Sequence, residues 1–321
     1  MSENNLYLEC KNFLDNFNSY ANYNAIRDAL LKISKIDYEN NKCDHPLFIE
    51  FVEDERFGNM GRVPVSSKIL LNSLRIDTIK KLKIDCFADE HIERIYNFYN
   101  NYKTKKKHSK YEKCLYNFID RYISIGAEGY FTQMGSYKNI KFELLETILH
   151  EDRHVFQKLL SSRLHDEADL NLINPLDIFV AVFGQIYTAL KESNIPFDYE
   201  RVNYIYPIEF DARYYAMAKM DIVRQKYYNQ DSNFKRAIVN SNIIPLDTNV
   251  NQLCEQIFVD YLNLYSVYDG NLEHDNQKVH NYIMASKNEI IKELILRYET
   301  MLNIVKANKF KKCRMEDVSE N

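Results

Sequence analysis

Two histidines four residues apart form the pattern with the clearest chemical potential in the sequence. Residues 150–154 read His-Glu-Asp-Arg-His. In a helix, positions i and i+4 lie on one face with Cβ atoms about 5–6 Å apart, and two imidazoles at that spacing can bind one zinc ion. Glu151 is rotated by about 100° from His150, which suits a general base better than a ligand. The pattern predicts a zinc site with His150 and His154 as ligands and Glu151 as base.

A catalytic zinc site needs a third protein ligand and an open coordination position. Downstream, Glu209 and Asp211 lie near the start of a predicted helix, just after Pro207. We predict Glu209 as the third ligand. Asp211 is predicted either to accept a hydrogen bond from a ligating imidazole or to replace Glu209 as ligand. Acidic residues at a helix N-terminus also interact favourably with the helix dipole when no metal is involved.

The elements that must position these residues follow from hydrophobic periodicity. A strong helix is expected at 142–161, since apolar residues recur at helical spacing on both sides of the two histidines. Just before it lie two β-prone runs, GYFTQ (129–133) and NIKF (139–142), typical of a hairpin or of two adjacent strands. The alternating segment LFIEFVED (47–54) is an earlier strand candidate.

Helical periodicity dominates the rest of the chain. Only 7 glycines and 6 prolines occur among 321 residues, which favours long helices over a many-turned β fold. The predicted fold class is therefore α+β and mainly helical, with a small sheet preceding the helix at 142–161. One or two amphipathic helices are predicted at 3–35, and further helices at 67–84, 88–123, 176–192, 208–228, 252–267 and 278–306, followed by a polar, frayed tail from Ala307.

Composition limits the classes of partner. The net charge of −4 gives no reason to expect a nucleic acid, and the lysine-rich stretch at 103–113 has the pattern of a solvated surface. No apolar run is long enough for a membrane span, and the N-terminus lacks the pattern of a signal peptide. The 6 cysteines are widely separated, as in reduced cytosolic proteins. We therefore expect a cytoplasmic protein with neither a membrane nor a nucleic acid as partner.

Two motifs together give the sequence a resemblance to a known family. The chain resembles the zincin metallopeptidases, in the gluzincin arrangement of H-E-x-x-H with a downstream glutamate. It also resembles uncharacterised bacterial and phage-associated proteins that carry H-E-x-R-H-x-x-Q and P-x-E-x-D-A-R. The matching residues here are His150, Glu151, Arg153, His154 and Gln157, then Pro207, Glu209, Asp211, Ala212 and Arg213.

The resemblance implies a fold and an activity. It implies zinc on His150, His154 and Glu209, with Glu151 as general base in peptide-bond hydrolysis, and hence a protein or peptide substrate. It also implies a sheet before the active-site helix, with GYFTQ and NIKF as candidate strands, whose strand nearest the cleft pairs with an extended peptide. The domain organisation expected from it is N-terminal helices (1–45), a zincin-like domain (46–235) with a helical insertion at 67–123, C-terminal helices (236–306) and a tail (307–321).

Two alternatives share the same residues. The chain would also fit a metal-dependent hydrolase that acts on a small molecule or a cell-wall fragment. It would equally fit a binding protein with an inactive zincin fold, although a purely structural zinc does not require Glu151. The oligomeric state is not predicted by the sequence.

Overall fold

The computed structural model describes residues 2–40, 47–54, 60–65, 67–82, 89–124, 140–164, 170–196, 207–228, 248–271 and 277–316. The described chain is mostly helical with one three-stranded sheet, which confirms the mainly helical α+β class. The α-helices are α1 (Ser2–Asn16), α2 (Tyr23–Asn40), α3 (Ser73–Leu82), α4 (Asp89–Thr104), α5 (Lys110–Ser124), α6 (Ile140–Arg163), α7 (Pro175–Glu192), α8 (Pro207–Tyr228), α9 (Val250–Asn271), α10 (Gln277–Ala285) and α11 (Lys287–Glu316).

The sheet consists of β1 (Phe48–Val52), β2 (Gly61–Val65) and β3 (Lys68–Asn72) in the order β1-β3-β2. β3 is parallel to β1 and antiparallel to β2. The strand predicted within 47–54 is confirmed as β1. Of the described strands, β2 lies at the sheet edge next to α6, and α6 packs against both β2 and β3.

The helix predicted at 67–84 is wrong over its first residues, because Lys68–Asn72 form the central strand β3 and the helix starts only at Ser73. A short apolar run does not distinguish a buried strand from a helix by periodicity alone. The boundary itself has a local cause. The Asn72 side chain accepts a hydrogen bond from the Arg75 backbone N–H at 3.2 Å, as an N-cap residue does.

Strands predicted directly before the histidine-bearing helix are not found in the described residues. GYFTQ lies outside them, and the prediction of a strand at NIKF is wrong, because α6 already begins at Ile140. Ile140, Leu144 and Ile148 are buried at helical spacing, so the apolar face of α6 extends through this run. The described sheet therefore comes from an earlier part of the chain.

The remaining helix predictions hold with three changes. The helix predicted at 88–123 is interrupted between α4 and α5, at residues 105–109. The one predicted at 278–306 is interrupted at Ser286 between α10 and α11, and α11 continues through much of the predicted tail to Glu316. None of the helices in the described ranges is long and apolar enough to cross a membrane.

Two hydrophobic clusters share α6 and α8. One cluster joins α1, α2 and the sheet to α6, with Leu144 and Ile148 at its centre. The other joins α7, α9, α10 and α11 around Phe179 and Tyr261. α8 contributes Phe210 and Met217 to the second cluster, and the residues Ala216, Met220 and Val223 to the first. Both helices are therefore fixed by packing on two sides, and these helices carry the predicted metal ligands.

Candidate metal centre

His150 and His154 converge from one face of α6. Their Nε2 atoms are 3.0 Å apart, and the two side chains are 18% and 12% exposed. Glu209, in the first turn of α8, completes the group, with Oε1 3.2 Å from His154 Nε2 and Oε2 3.5 Å from His150 Nε2. The structure thus brings together the three residues that the sequence predicts as ligands.

The spacing of these three donor groups fits a metal ion. Two ligand atoms that each lie about 2.0–2.1 Å from a tetrahedral ion are about 3.3 Å apart. The observed separations of 3.0, 3.2 and 3.5 Å bracket this value. Two imidazoles and one carboxylate also leave a fourth position available for water or substrate. The group can therefore hold a metal ion with little rearrangement.

Close packing explains how Glu209 reaches the histidines. α8 begins at Pro207, whose fixed φ suits the first position of a helix. The adjacent Ile208 lies directly against Gly184 of α7, where a Cβ atom would overlap the isoleucine side chain. The glycine allows the start of α8 to approach α7 closely, and this approach fixes the position of Glu209.

In the metal-free chain, Glu209 and His154 affect each other's protonation. Burial acts to raise the pKa of Glu209, but hydrogen bonds from His150 and His154 hold it far below its usual range. Burial acts to lower the pKa of His154, whereas the hydrogen bond to Glu209 raises it, and the net shift is upward. A metal cation would therefore compete with a proton for the His154 ring.

An outer layer of hydrogen bonds orients His154. Its Nδ1 lies 2.9 Å from Gln157 Oε1, so Nδ1–H donates to the amide oxygen and the Nε2 lone pair faces the metal position. Gln157 Nε2 in turn donates to Asp211 Oδ2 at 2.7 Å. Asp211 therefore lies behind His154 and outside the donor group. It supports the imidazole through Gln157 and is not placed as an alternative ligand.

Two arginines hold Asp211 in place. Arg153 donates to Asp211 from Nε at 2.6 Å and from Nη2 at 3.1 Å, and Arg297 of α11 donates from Nη1 at 2.6 Å. Arg153 Nη2 also donates to Asp177 of α7. Burial acts to raise the pKa of Asp211, but the two guanidinium groups lower it overall. A buried, ionised carboxylate is thus fully paired, as a rigid second layer requires.

The sequence did not assign these supporting roles. Arg153 and Gln157 were recognised only as letters of the motif, although their i, i+4 spacing indicates one helix face. Arg297 was missed entirely, and no local signal points to it, because it reaches Asp211 from a helix 86 residues further along the chain.

Glu151 is buried beside the edge strand. Its side chain is adjacent to Gly61 of β2, where a Cβ atom would lie 3.2 Å from Glu151 Cγ and 3.3 Å from Oε1. Burial raises the pKa of Glu151, against the opposing charges of His150 and His154. One turn of α6 beyond His154, Lys158 Nζ donates to the Val63 carbonyl at 2.7 Å and joins α6 to β2. Glu151 therefore lies between the metal-ligand group and the edge of the sheet.

Asp152 is a buried acid that the sequence did not single out. It is 2% exposed, and the Ser34 hydroxyl of α2 lies beside its carboxyl group. Burial and the neighbouring Asp37 raise its pKa well above the usual value. The uncharged acid is therefore favoured over the carboxylate at this position.

Comparison of the chain with protein-family models, curated proteins and solved structures gives no match.

Proposed function

We propose that the chain is a zinc-dependent peptidase, with zinc held by His150, His154 and Glu209 and with Glu151 as general base. The observation that carries the proposal is the spacing of 3.0–3.5 Å among the three donor groups. Two imidazoles and a carboxylate with one open position are a ligand set of catalytic zinc, whereas structural zinc sites are usually closed by four protein ligands. The proposal includes the zincin-like fold that the two sequence motifs imply.

The reaction assigns separate tasks to the chain's own residues. Zinc, when bound, lowers the pKa of a water ligand to about 7 and polarises a carbonyl group. Glu151 accepts the proton as the water attacks the peptide carbonyl and then transfers it to the leaving amine. A pKa raised by burial suits a group that must both accept and donate a proton. Gln157 keeps the His154 ring in the tautomer that binds metal.

The edge strand favours a peptide over a small molecule as substrate. β2 lies at the edge of the described sheet, and Gly61 brings its backbone against Glu151. An extended peptide can add to a sheet edge through main-chain hydrogen bonds, which holds it near the adjoining site. A small metabolite or a cell-wall sugar has no extended main chain that could form such hydrogen bonds with the edge strand.

The first test measures metal content and cleavage in the same preparations. Untagged wild type should contain about one zinc per chain by elemental analysis, as a single site of three protein ligands requires. His150→Ala and Glu209→Ala should lose most of it. Glu151→Gln should keep the zinc but lose the cleavage of a mixed peptide library followed by mass spectrometry. Glu289→Gln, an exposed position on α11, is the matched control and should behave as wild type.

The outcomes separate the alternatives. A wild type that binds no zinc after supplementation at neutral pH would refute the metal centre and the peptidase together. A wild type that binds zinc through these ligands but releases no peptide fragments would favour a binding protein. Cleavage that is equal in Glu151→Gln and wild type would refute the assigned base.

A further inference from the structure

A cavity lies beside α8, and none of the three metal ligands lines it. It has a volume of about 410 Å³. Its α8 residues include Tyr214, Tyr215, Lys219 and Ile222. At about 100° per residue, Tyr214, Tyr215 and Ile222 lie about 120–140° from Glu209 around the helix, and Lys219 lies about 80° from it. Arg153 and Arg297 of the cavity wall also hold Asp211 behind the metal centre. The cavity volume is within the range of about 300–1,000 Å³ typical of small-molecule sites.

Positive charge predominates in the cavity wall. Arg153, Lys219 and Arg297 line it, with Asp177 as the acid among the lining residues. The carboxylates that hold the two guanidinium groups from the other side, Asp211 and Glu293, do not line it. The lining residues themselves thus carry three cations and one acid, and the Asp37 carboxyl group lies behind the ring of Tyr215.

Several N–H donors of these cations remain available. Arg153 uses Nε and Nη2 for Asp211 and Asp177, which leaves Nη1 without a hydrogen bond to the described residues. Arg297 uses Nη1 and Nη2, and its Nε makes no hydrogen bond to a residue in the described ranges. Lys219 lies over the Tyr215 ring and near the Asp37 carboxyl group, and it makes no hydrogen bond to the other described residues. Guanidinium and ammonium groups with free N–H donors are well suited to carboxylate and phosphate oxygens.

Aromatic rings complete the wall and fix the cations. Lys219 Nζ lies 5.2 Å from the Tyr215 ring centre, Arg153 Cζ lies 5.2 Å from the same ring, and Arg297 Cζ lies 5.2 Å from the Tyr214 ring. These distances are within cation–π range. Tyr7 of α1 faces the same cavity. The rings hold the cations in place and offer flat apolar surface to a ligand body.

We propose that this cavity binds a small organic anion. Its carboxylate or phosphate group contacts Arg153 and Lys219, and its apolar or aromatic body packs against the tyrosine rings. A neutral ligand of the same shape would leave the Lys219 charge partly desolvated without compensation, so binding should require the negative charge. The proposal does not depend on the peptidase activity, because neither the three metal ligands nor Glu151 line the cavity.

Calorimetric titration of the full chain tests the proposal with matched ligands. Benzoate and phenyl phosphate are the anionic probes, and benzamide is the uncharged analogue of benzoate. The titrations use metal-free protein with the His150→Ala substitution, so that neither probe binds at the metal centre. We expect both anions to bind and benzamide not to bind. The anion with the higher affinity shows whether the cavity prefers a carboxylate or a phosphate group.

Two variants locate the binding. Lys219→Gln should weaken anion affinity about fivefold or more, as expected for the loss of a charge-assisted hydrogen bond. Ile222→Glu, at a position that is 40% exposed, places a carboxylate at the cavity and should abolish binding while preserving the fold. Lys113→Gln, at an exposed lysine far along the chain, should have no effect. Equal binding of benzamide and benzoate, or unchanged anion affinity in Lys219→Gln or Ile222→Glu, would overturn the proposal.

Discussion

Gln157 and Asp211 are joined by a 2.7 Å hydrogen bond between α6 and α8, and this bond connects the metal-ligand group to the rest of the fold. The same glutamine accepts from His154 Nδ1 at 2.9 Å, and the same aspartate is held by Arg153 and Arg297. The orientation of His154 therefore depends on a helix at the C-terminal end of the chain. Side chains that never touch the metal should then affect its affinity.

Gln157→Ala should weaken zinc binding about 10- to 100-fold, the range found when an outer hydrogen-bond partner of a ligating histidine is removed. The substitution frees the His154 ring to rotate and to change tautomer. Competition with a chromophoric zinc chelator measures the affinity. Ser162→Ala, on the exposed side of the same helix, is the control. Equal zinc affinities for Gln157→Ala and wild type would show that Gln157 does not orient the ligand.

Gly61→Ala should displace the edge strand from α6. The added Cβ would lie 2.6 Å from Thr147 Cγ2 and 3.2 Å from Glu151 Cγ, so β2 or the helix must shift. We expect a loss of about 1–3 kcal/mol in the free energy of unfolding, as for other overpacked core sites, and a larger proportional loss of peptide cleavage.

The neighbouring threonine provides an internal control for Gly61→Ala. Thr147→Ser removes Cγ2 and should recover part of the stability in the double variant, which a double-mutant cycle of denaturant unfolding measures. Additive effects of the two substitutions would mean that the strand does not contact the helix at this point.

The three metal ligands could be predicted from the sequence, because the pattern that identifies each of them lies within a few neighbouring residues. His150 and His154 follow from i, i+4 spacing on one helix, and Glu209 from a carboxylate just after a helix-starting proline. The partners of Asp211 could not be found in this way. Asp177 and Arg297 come from two other helices, and only the packing of α7 and α11 against α8 brings them together.

Only part of the sheet could be predicted from the sequence, and the reason is related. β1 alternates between buried and exposed positions, so its period is visible in the sequence. The central strand β3 is covered by neighbours on both edges and has a run of apolar residues, ILL (69–71), that is also compatible with a helix. The start of α6 at Ile140 was misassigned because β-branched and aromatic residues suggest a strand when the tertiary contacts of the helix are unknown.

The metal-free and zinc-bound forms should respond to pH in opposite directions. Although burial opposes it, the contact with Glu209 raises the pKa of His154 in the folded chain. The protonated ring therefore stabilises the metal-free fold fully below the ordinary histidine pKa, and this contribution is lost as the pH rises through the raised value. Zinc needs neutral imidazoles, so its stabilisation grows over the same interval.

Thermal unfolding between about pH 5 and pH 8, the range in which histidines titrate, measures both trends. With a chelator present, the melting temperature should decline as the pH rises. The difference between the melting temperatures with zinc and with chelator should increase over the same range. His154→Asn should remove the pH-dependent difference. Parallel curves with and without zinc would contradict the coupling of the two equilibria.

Asp152→Asn should stabilise the metal-free chain at neutral pH. A buried aspartate with a raised folded pKa makes folding less favourable as the pH rises above the ordinary aspartate value, because the unfolded chain ionises more readily. We therefore expect a gain in the free energy of unfolding by urea at neutral pH, and this gain should shrink toward acid pH. Asp211→Asn provides the contrast. Its carboxylate is paired and its pKa is lowered overall, despite burial, by Arg153 and Arg297, so the same substitution should destabilise the chain. Destabilisation by both variants at neutral pH would mean that Asp152 is paired in solution.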